Sequence, residues 1–372
     1  MITEVQRPYA VEGVRDSQGA INLTRNLKGK YCSKLYEWIE VTSNGLVFMC
    51  CPSWLPHPIG NILDNSIEEI WNGKIARKLR RQIFSGEWKY CNHIFCPVIS
   101  SNTLPNIDEN TPETTTAPLP RYINFSNDES CNLACPSCRV NKILFNQGKE
   151  YSKRKYINDI LINKFLTQPT DRHFGIFVTG SGDPFASKIF RDMLQNINGA
   201  HFPNMIVSLQ TNGVMFTPKM WQSIKKIHNN LKDCRISFDA GTKETYENKT
   251  RLNGNWDLLV DNCKFLDDKV NSYPNFQMNY DFVVQYDNYK EMKTYVDFCL
   301  QNFKNLNSIN FGLVTDWGTW DKDMLEHKCI WKDTHSEHND FLDCLNDPIF
   351  DHPNVVLGNL TDYRNKAQGI VQ

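Results

Sequence analysis

Three cysteines fall within eight residues at Cys131-Asn132-Leu133-Ala134-Cys135-Pro136-Ser137-Cys138, shortly after the apolar stretch Tyr122-Ile123-Asn124-Phe125. Thiols at this CxxxCxxC spacing can wrap one iron-sulfur cluster, yet they supply three of the four ligands a cubane takes, so one iron stays open for chemistry. A structural zinc site completed by a fourth Cys or His is the competing reading of the same residues. On either reading the loop must be held open around a metal by whatever folds beneath it.

The chain has 372 residues, 40% of them hydrophobic and 22% charged, enough for one large domain with an accessory one. Its 41 basic and 42 acidic residues leave a net charge of -1, which argues against a polyanion-binding surface, so no nucleic acid partner is expected. The local basic run Lys78-Leu79-Arg80-Arg81 reads as a solvated helix face. Residues 1–13 lack an apolar core and no run of eighteen apolar residues occurs, so neither a signal peptide nor a membrane span is expected and the location reads as cytoplasmic. Thirteen cysteines in that setting read as metal ligands and buried thiols, not as a disulfide framework.

Residues 1–30 are polar and aperiodic, an N-terminal arm. Residues 31–97 form a distinct module. Its apolar runs 35–41 and 46–49 are split by Ser43-Asn44-Gly45, which predicts a β-hairpin with Asn-Gly at the turn. Cys32 would open the first strand and Cys50 end the second, so the hairpin brings two thiols within reach of one metal. Ser66 and Glu69 make a capping box before a helix with Ile67, Ile70, Trp71, Ala76 and Leu79 on one face, and the chain then reaches a second close pair, Cys91 and Cys96. A zinc-bound or purely structural hairpin is the alternative here.

Residues 98–120 are rich in Pro, Thr and Asn and read as a linker. From 121 to 320, strand candidates at 121–126, 174–179, 205–210, 234–239, 279–285 and 308–314 alternate with amphipathic stretches such as Met220 to Ile227. That alternation predicts a parallel sheet with right-handed crossovers, six units making a partial barrel with functional groups at the C-terminal strand ends. Residues 321–372 would pack against it, anchored by Val355-Val356-Leu357. The histidines and cysteines of that segment lack a metal-binding spacing, and Cys234, Cys263 and Cys299 read as buried thiols.

CNLACPSC after a strand, followed in order by VTGSGDPF, LQTNG and ISFDAGTKETYENKTR over roughly residues 120 to 320, resembles the radical S-adenosylmethionine (SAM) superfamily. Ser137 departs from the aromatic residue usual before the third cysteine. The resemblance implies that Cys131, Cys135 and Cys138 hold a 4Fe-4S cluster whose open iron is chelated by the amino and carboxylate groups of SAM. It implies that Gly180, Ser181, Gly182 and Asp183 take the SAM amino group, and that Gln210, Thr211 and Asn212 contact ribose hydroxyls or the methionine carboxylate. Ser237 or Asp239, expected on one side of a strand end, would reach the ribose, and Arg251 would grip the carboxylate or serve in an ion pair. Trp317 and Trp320 would wall the adenine or the substrate, or lid the barrel end.

The module resembles the SPASM and twitch auxiliary-cluster domains, although those usually follow the barrel. By that resemblance Cys32, Cys50, Cys91 and Cys96 bind a second 4Fe-4S cluster, with Cys51 as an alternative to Cys50. The expectation is thus an α/β chain with a partial (β/α)6 TIM-like radical SAM barrel and a small N-terminal β-hairpin/helix auxiliary-cluster module. It would use SAM, two clusters and a flavodoxin- or ferredoxin-type reductant. Its substrate would be a ribosomally made peptide to be crosslinked, oxidised or epimerised, or a sugar, aminocyclitol or other small metabolite. A zinc-stabilised binding protein without activity is the contrasting class.

Overall fold

The computed structural model describes residues 26–109, 111 and 114–370, so most of the expected arm lies outside the described residues. Trp38–Thr42 (β1) and Leu46–Phe48 (β2) pair antiparallel as the expected hairpin, and Gly60–Asn61 (β3) adds a short third strand. Gly45 takes φ +84° at the turn, where a side chain would collide with Asn61 and Leu63. The first strand is shorter than its apolar run. Lys34–Glu37 coils into a helical turn that buries Leu35 and Tyr36, so Cys32 precedes this turn and does not open the strand.

The six expected strands all form: β4 (Tyr122–Ser126), β5 (Phe174–Val178), β6 (Met205–Thr211), β7 (Leu231–Ser237), β8 (Gln277–Val284) and β9 (Leu306–Leu313). They lie parallel in sequence order. Val355–Val356 (β10) joins β9 in parallel, so the apolar anchor of the C-terminal segment is itself a strand. At the other end β1 pairs in parallel with β4, from Trp38 opposite Tyr122 to Thr42 opposite Ser126. The module hairpin therefore extends the barrel sheet, giving one ten-stranded sheet from β10 to β3 whose two ends do not pair among the described residues.

Strand side chains alternate between faces, and here the two faces differ in chemistry. The outer face carries Ile39, Val41, Ile123, Phe125, Ile176, Val178, Val207, Leu209, Cys234, Ile236, Met278, Tyr280 and Ile309, all at most 1% exposed. Helices cover it, with Ile157 and Leu161 of Gly148–Phe165 and Leu259, Cys263 and Leu266 of Trp256–Val270 among the fully buried contacts. Cys299 is buried on another helix of this layer. The inner face carries Glu40, Asn124, Ser208, Gln210, Asp233, Arg235, Asn279, Asp281 and Asn310, kept in step by the strand registers.

Around the open side, the helix Pro97–Ser100, which starts the stretch read as a linker, packs on the turn Gly358–Leu360 beside β9. Phe95 of the module meets Trp331 edge-on at 5.9 Å. Lys78 and Arg81 are exposed as a solvated basic face requires, but Arg80 is not. It is fully buried against Trp71, donates to the Leu35 carbonyl at 2.9 Å and to Thr115 at 3.0 Å, and burial pushes its pKa down to about 10. No described helix is long and apolar enough to cross a membrane.

Candidate functional site

Two cysteine sites lie at the two ends of one continuous stretch of sheet. In the module, a cavity of about 140 Å³ is lined by Cys32, Cys50, Cys91 and Cys96. The helical turn delivers Cys32, the hairpin exit delivers Cys50, and Cys96 caps the helix Pro97–Ser100. Trp54, Leu55, Trp88, Ile99 and Leu104 complete an apolar wall. Burial pushes all four thiols up, Cys96 to about 11, which is the cost a bound cationic iron core offsets. The neighbouring Cys51 does not line the cavity and donates to Ser53 Oγ at 3.6 Å instead.

The thiols stand around a space and do not converge on a point. Among the described residues no three Cys, His, Asp or Glu side chains are gathered closely enough for a single metal ion. A zinc ion needs four donors at roughly 2.0–2.3 Å from one centre. A cluster fills the space between its ligands, so this donor set with its apolar shell fits an iron-sulfur group better.

The second site is the loop after β4. Cys131 and Cys135 are buried around Leu133, with Cys138 packed against them. Each sulfur meets its own nitrogen donor, two from distant segments and one, Arg139, from the loop itself. Asn212 Nδ2 lies 3.6 Å from Cys131, Arg251 Nη1 3.5 Å from Cys135, and Arg139 Nη2 3.4 Å from Cys138. Donors aimed at sulfur stabilise thiolate and cluster-bound sulfur, so these residues too fit a cluster. The loop is pinned below by Asp128, which accepts from Ser130 Oγ at 2.9 Å and from Ser187 Oγ at 2.6 Å.

The strand-end motifs gather at this loop. Asp183 is fully buried and both its oxygens are occupied: Oδ1 accepts from the Phe185 and Ala186 amides at 2.9 and 3.1 Å, Oδ2 from Thr211 Oγ1 at 2.6 Å and the Asn212 amide at 2.9 Å. The amide of Asp183 itself donates to Ser130 at 2.8 Å. Asp183 thus ties the ends of β5 and β6 to the cysteine loop. Gly182, at φ +73°, lets the turn press against the carbonyls of Asp128 and Ser130, which a Cβ would approach to 2.5 and 2.7 Å. Ser181 Oγ donates to the Ser126 carbonyl at 3.2 Å. Thr211 and Asn212 are buried, and Gln210 is exposed on the inner face.

Ser237 ends β7 opposite Asp281, whereas Asp239 lies past the strand at φ +57°. The expectation that both project from one side by strand alternation fails for that reason. Arg251 follows an α-to-π turn over Lys243–Thr250, its amide bonded to the Tyr246 carbonyl at 2.8 Å. Burial works against its charge, but Asp239 and Cys135 outweigh burial and hold the guanidinium protonated.

The sequence reading missed Arg139, Glu40, Asn124 and the inner-face charges. Arg235 grips Asp281 with Nε and Nη2 at 2.9 and 2.7 Å, and Ser208 Oγ donates to Asp233 at 2.5 Å. Polar residues at every second position, as in Asp233-Cys234-Arg235-Ile236-Ser237, are the signal that would have revealed this face.

Residues 32–97 match the SPASM family, an iron-sulfur cluster-binding domain, in agreement with the four-thiol cavity. No curated protein matches the chain in sequence. Among solved structures, native anSMEcpe with bound AdoMet is 15% identical with a TM-score of 0.42, covering 63% of this chain and 62% of that one. Native anSMEcpe with AdoMet and the Kp18Cys peptide gives 13% and 0.41 over the same shares. A spore photoproduct lyase mutant with dinucleoside spore photoproduct gives 10% and 0.31 over 49% of this chain and 52% of that one. The chain thus spans less than two thirds of the length of these structures, and likenesses of this strength leave the functional reading to the site.

Proposed function

We propose that this protein is a radical SAM enzyme with one cluster on Cys131, Cys135 and Cys138 and an auxiliary cluster among Cys32, Cys50, Cys91 and Cys96. The observation that carries the reading is the three-thiol loop at the C-terminal end of a parallel sheet, each sulfur facing its own donor in Asn212, Arg251 or Arg139. When bound, the first cluster supplies the electron that splits SAM into methionine and a 5'-deoxyadenosyl radical able to take a hydrogen atom from substrate. The chain's part is to hold the loop rigid through Asp128 and Asp183 and to offer donors to sulfur. The inner face receives the substrate.

That face supports a small molecule bearing hydroxyl and amino groups, such as a sugar or aminocyclitol to be oxidised or epimerised. The Arg235 side chain is 42% exposed there although it lies on a central strand, so the arginine of the Arg235–Asp281 fork is reachable from solvent while Asp281 beneath it is buried. A ribosomal peptide modified at a polar side chain is the second reading, supported by the exposure of Gln210 at the rim of the same face. An anaerobic preparation with iron and sulfide counted, then reduced with SAM and assayed for 5'-deoxyadenosine, tests the class. A brown protein with two clusters' worth of iron that cleaves SAM supports it; a colourless zinc protein that leaves SAM intact removes it.

A further inference from the structure

Arg139 follows the third cysteine of the loop directly and is buried, at 4% exposure. Its Nη1 donates to the Glu129 carbonyl at 2.6 Å and its Nη2 to Cys138 Sγ at 3.4 Å. Glu129, whose carbonyl it holds, commits its carboxylate elsewhere. Oε2 accepts from Arg154 Nε at 2.9 Å, and Oε1 accepts from the Ser43 hydroxyl at the hairpin turn of the module. Among the described residues Arg139 has no carboxylate partner, and the negative groups it faces are the sulfurs of Cys138, Cys131 and Cys135.

A guanidinium keeps its charge even when buried, and a buried charge without a counter-ion is costly. The other two sulfur donors carry no such excess. Arg251 shares its charge with Asp239 at 2.5 Å, and Asn212 is neutral. The donors around the three-thiol loop thus bring one uncompensated positive charge, and it sits beside the Cys138 sulfur. In the module the corresponding donor is neutral, Gln82 Nε2 at 3.7 Å from Cys91, and Arg139 does not line that cavity. Net charge and hydrogen bonds to sulfur are the levers by which a protein sets the potential of a cluster. A fixed cation in a buried site favours the more negative, reduced state.

Resting on the radical SAM reading, we propose that Arg139 is the counter-ion of the cluster on Cys131, Cys135 and Cys138 and raises its reduction potential, so that a one-electron donor from outside the chain can reduce it. The auxiliary site lies outside this influence.

The test is a redox titration of the reconstituted holoenzyme with titanium(III) citrate, followed by electron paramagnetic resonance. The signal that changes when SAM is added marks the three-thiol cluster. Arg139→Gln, which keeps N–H groups but loses the charge, is expected to weaken electron uptake there about tenfold, a fall of about 59 mV for one electron. The second signal should not move. Arg139→Lys, which keeps the charge, should recover most of the shift. An unmoved potential in Arg139→Gln, an equal fall in Arg139→Lys, or a fall in both signals alike would overturn the proposal. If Arg139→Gln takes up no cluster, urea unfolding of the iron-free proteins decides. The variant should then be at least as stable as the wild type, because it buries no unpaired charge; a less stable variant would make Arg139 a brace of the loop and overturn the proposal. A wild-type holoenzyme without a SAM-sensitive signal would instead sink the radical SAM reading itself.

Discussion

Arg251 and Asp239 form a buried ion pair, Nη2 to Oδ2 at 2.5 Å, in the loop region after β7, while Arg251 Nη1 donates to Cys135 Sγ at 3.5 Å. Asp239 Oδ1 is held in turn by the Val283 amide at 2.8 Å. Burial raises the Asp239 pKa and Arg251 pulls it back, so each charge depends on the other. The pair fastens the end of β7 to both the cysteine loop and β8.

Removing one partner of such a pair leaves a lone buried charge. Arg251→Gln is expected to cost about 3–5 kcal/mol in urea unfolding of the anaerobic protein. Asp239→Asn added to it should recover part of that loss, because no uncompensated charge then remains. A double variant that is worse by the full sum of the singles would count against the coupling.

Asp183→Asn keeps the shape but turns an acceptor into a donor facing either two amides or Thr211 and Asn212. We expect a loss of about 2–4 kcal/mol as two of its four bonds fail. Because Asn212 also reaches Cys131, iron per chain should fall together with stability. Iron content measured after gel filtration, next to the unfolding midpoint, checks both.

The auxiliary site discriminates adjacent thiols. Cys50→Ser should remove about half of the bound iron, one cluster of two. Cys51→Ser should leave iron unchanged, since that sulfur lies against Ser53 outside the cavity. The reverse result would move the ligand by one residue.

His228 predicts a pH dependence. Its Nε2 lies 2.9 Å from the Trp221 carbonyl and its Nδ1 3.0 Å from the Tyr273 hydroxyl, a set satisfied by the neutral ring with its proton on Nε2. Burial lowers its pKa below the ordinary value of about 6.5. The unfolded chain therefore takes up a proton first as pH falls through that value, and stability should decline from there toward the lowered folded pKa. His228→Gln should flatten this part of the urea-unfolding profile; an unaltered slope would show that another group sets it.

What was local in the chain was legible in the chain. The CxxxCxxC loop, the Asn-Gly hairpin turn, the Ser66 capping box and the six alternating strands all rest on spacings of a few residues, and all form, although β7 runs over 231–237 and not 234–239. The thiols of the module were legible as two pairs, Cys32 with Cys50 and Cys91 with Cys96; their union as one group was implied by the resemblance to SPASM domains, and the cavity all four line agrees with it. The spacing from Gly45 favoured Cys50 over Cys51, and of the two it is Cys50 that lines the cavity. The pairing of β1 with β4 joins Glu40 to Asn124 across 84 positions, and the outer edge of a hairpin carries no mark of the strand it will meet. Likewise a Gly-Asp-Pro motif shows an aspartate but not how many backbone amides will converge on it. The sequence by itself determined the elements and the metal-binding chemistry through short-range periodicity and side-chain type; only tertiary structure decided which carboxylates are already occupied, because hydrogen-bond satisfaction depends on contacts between distant segments.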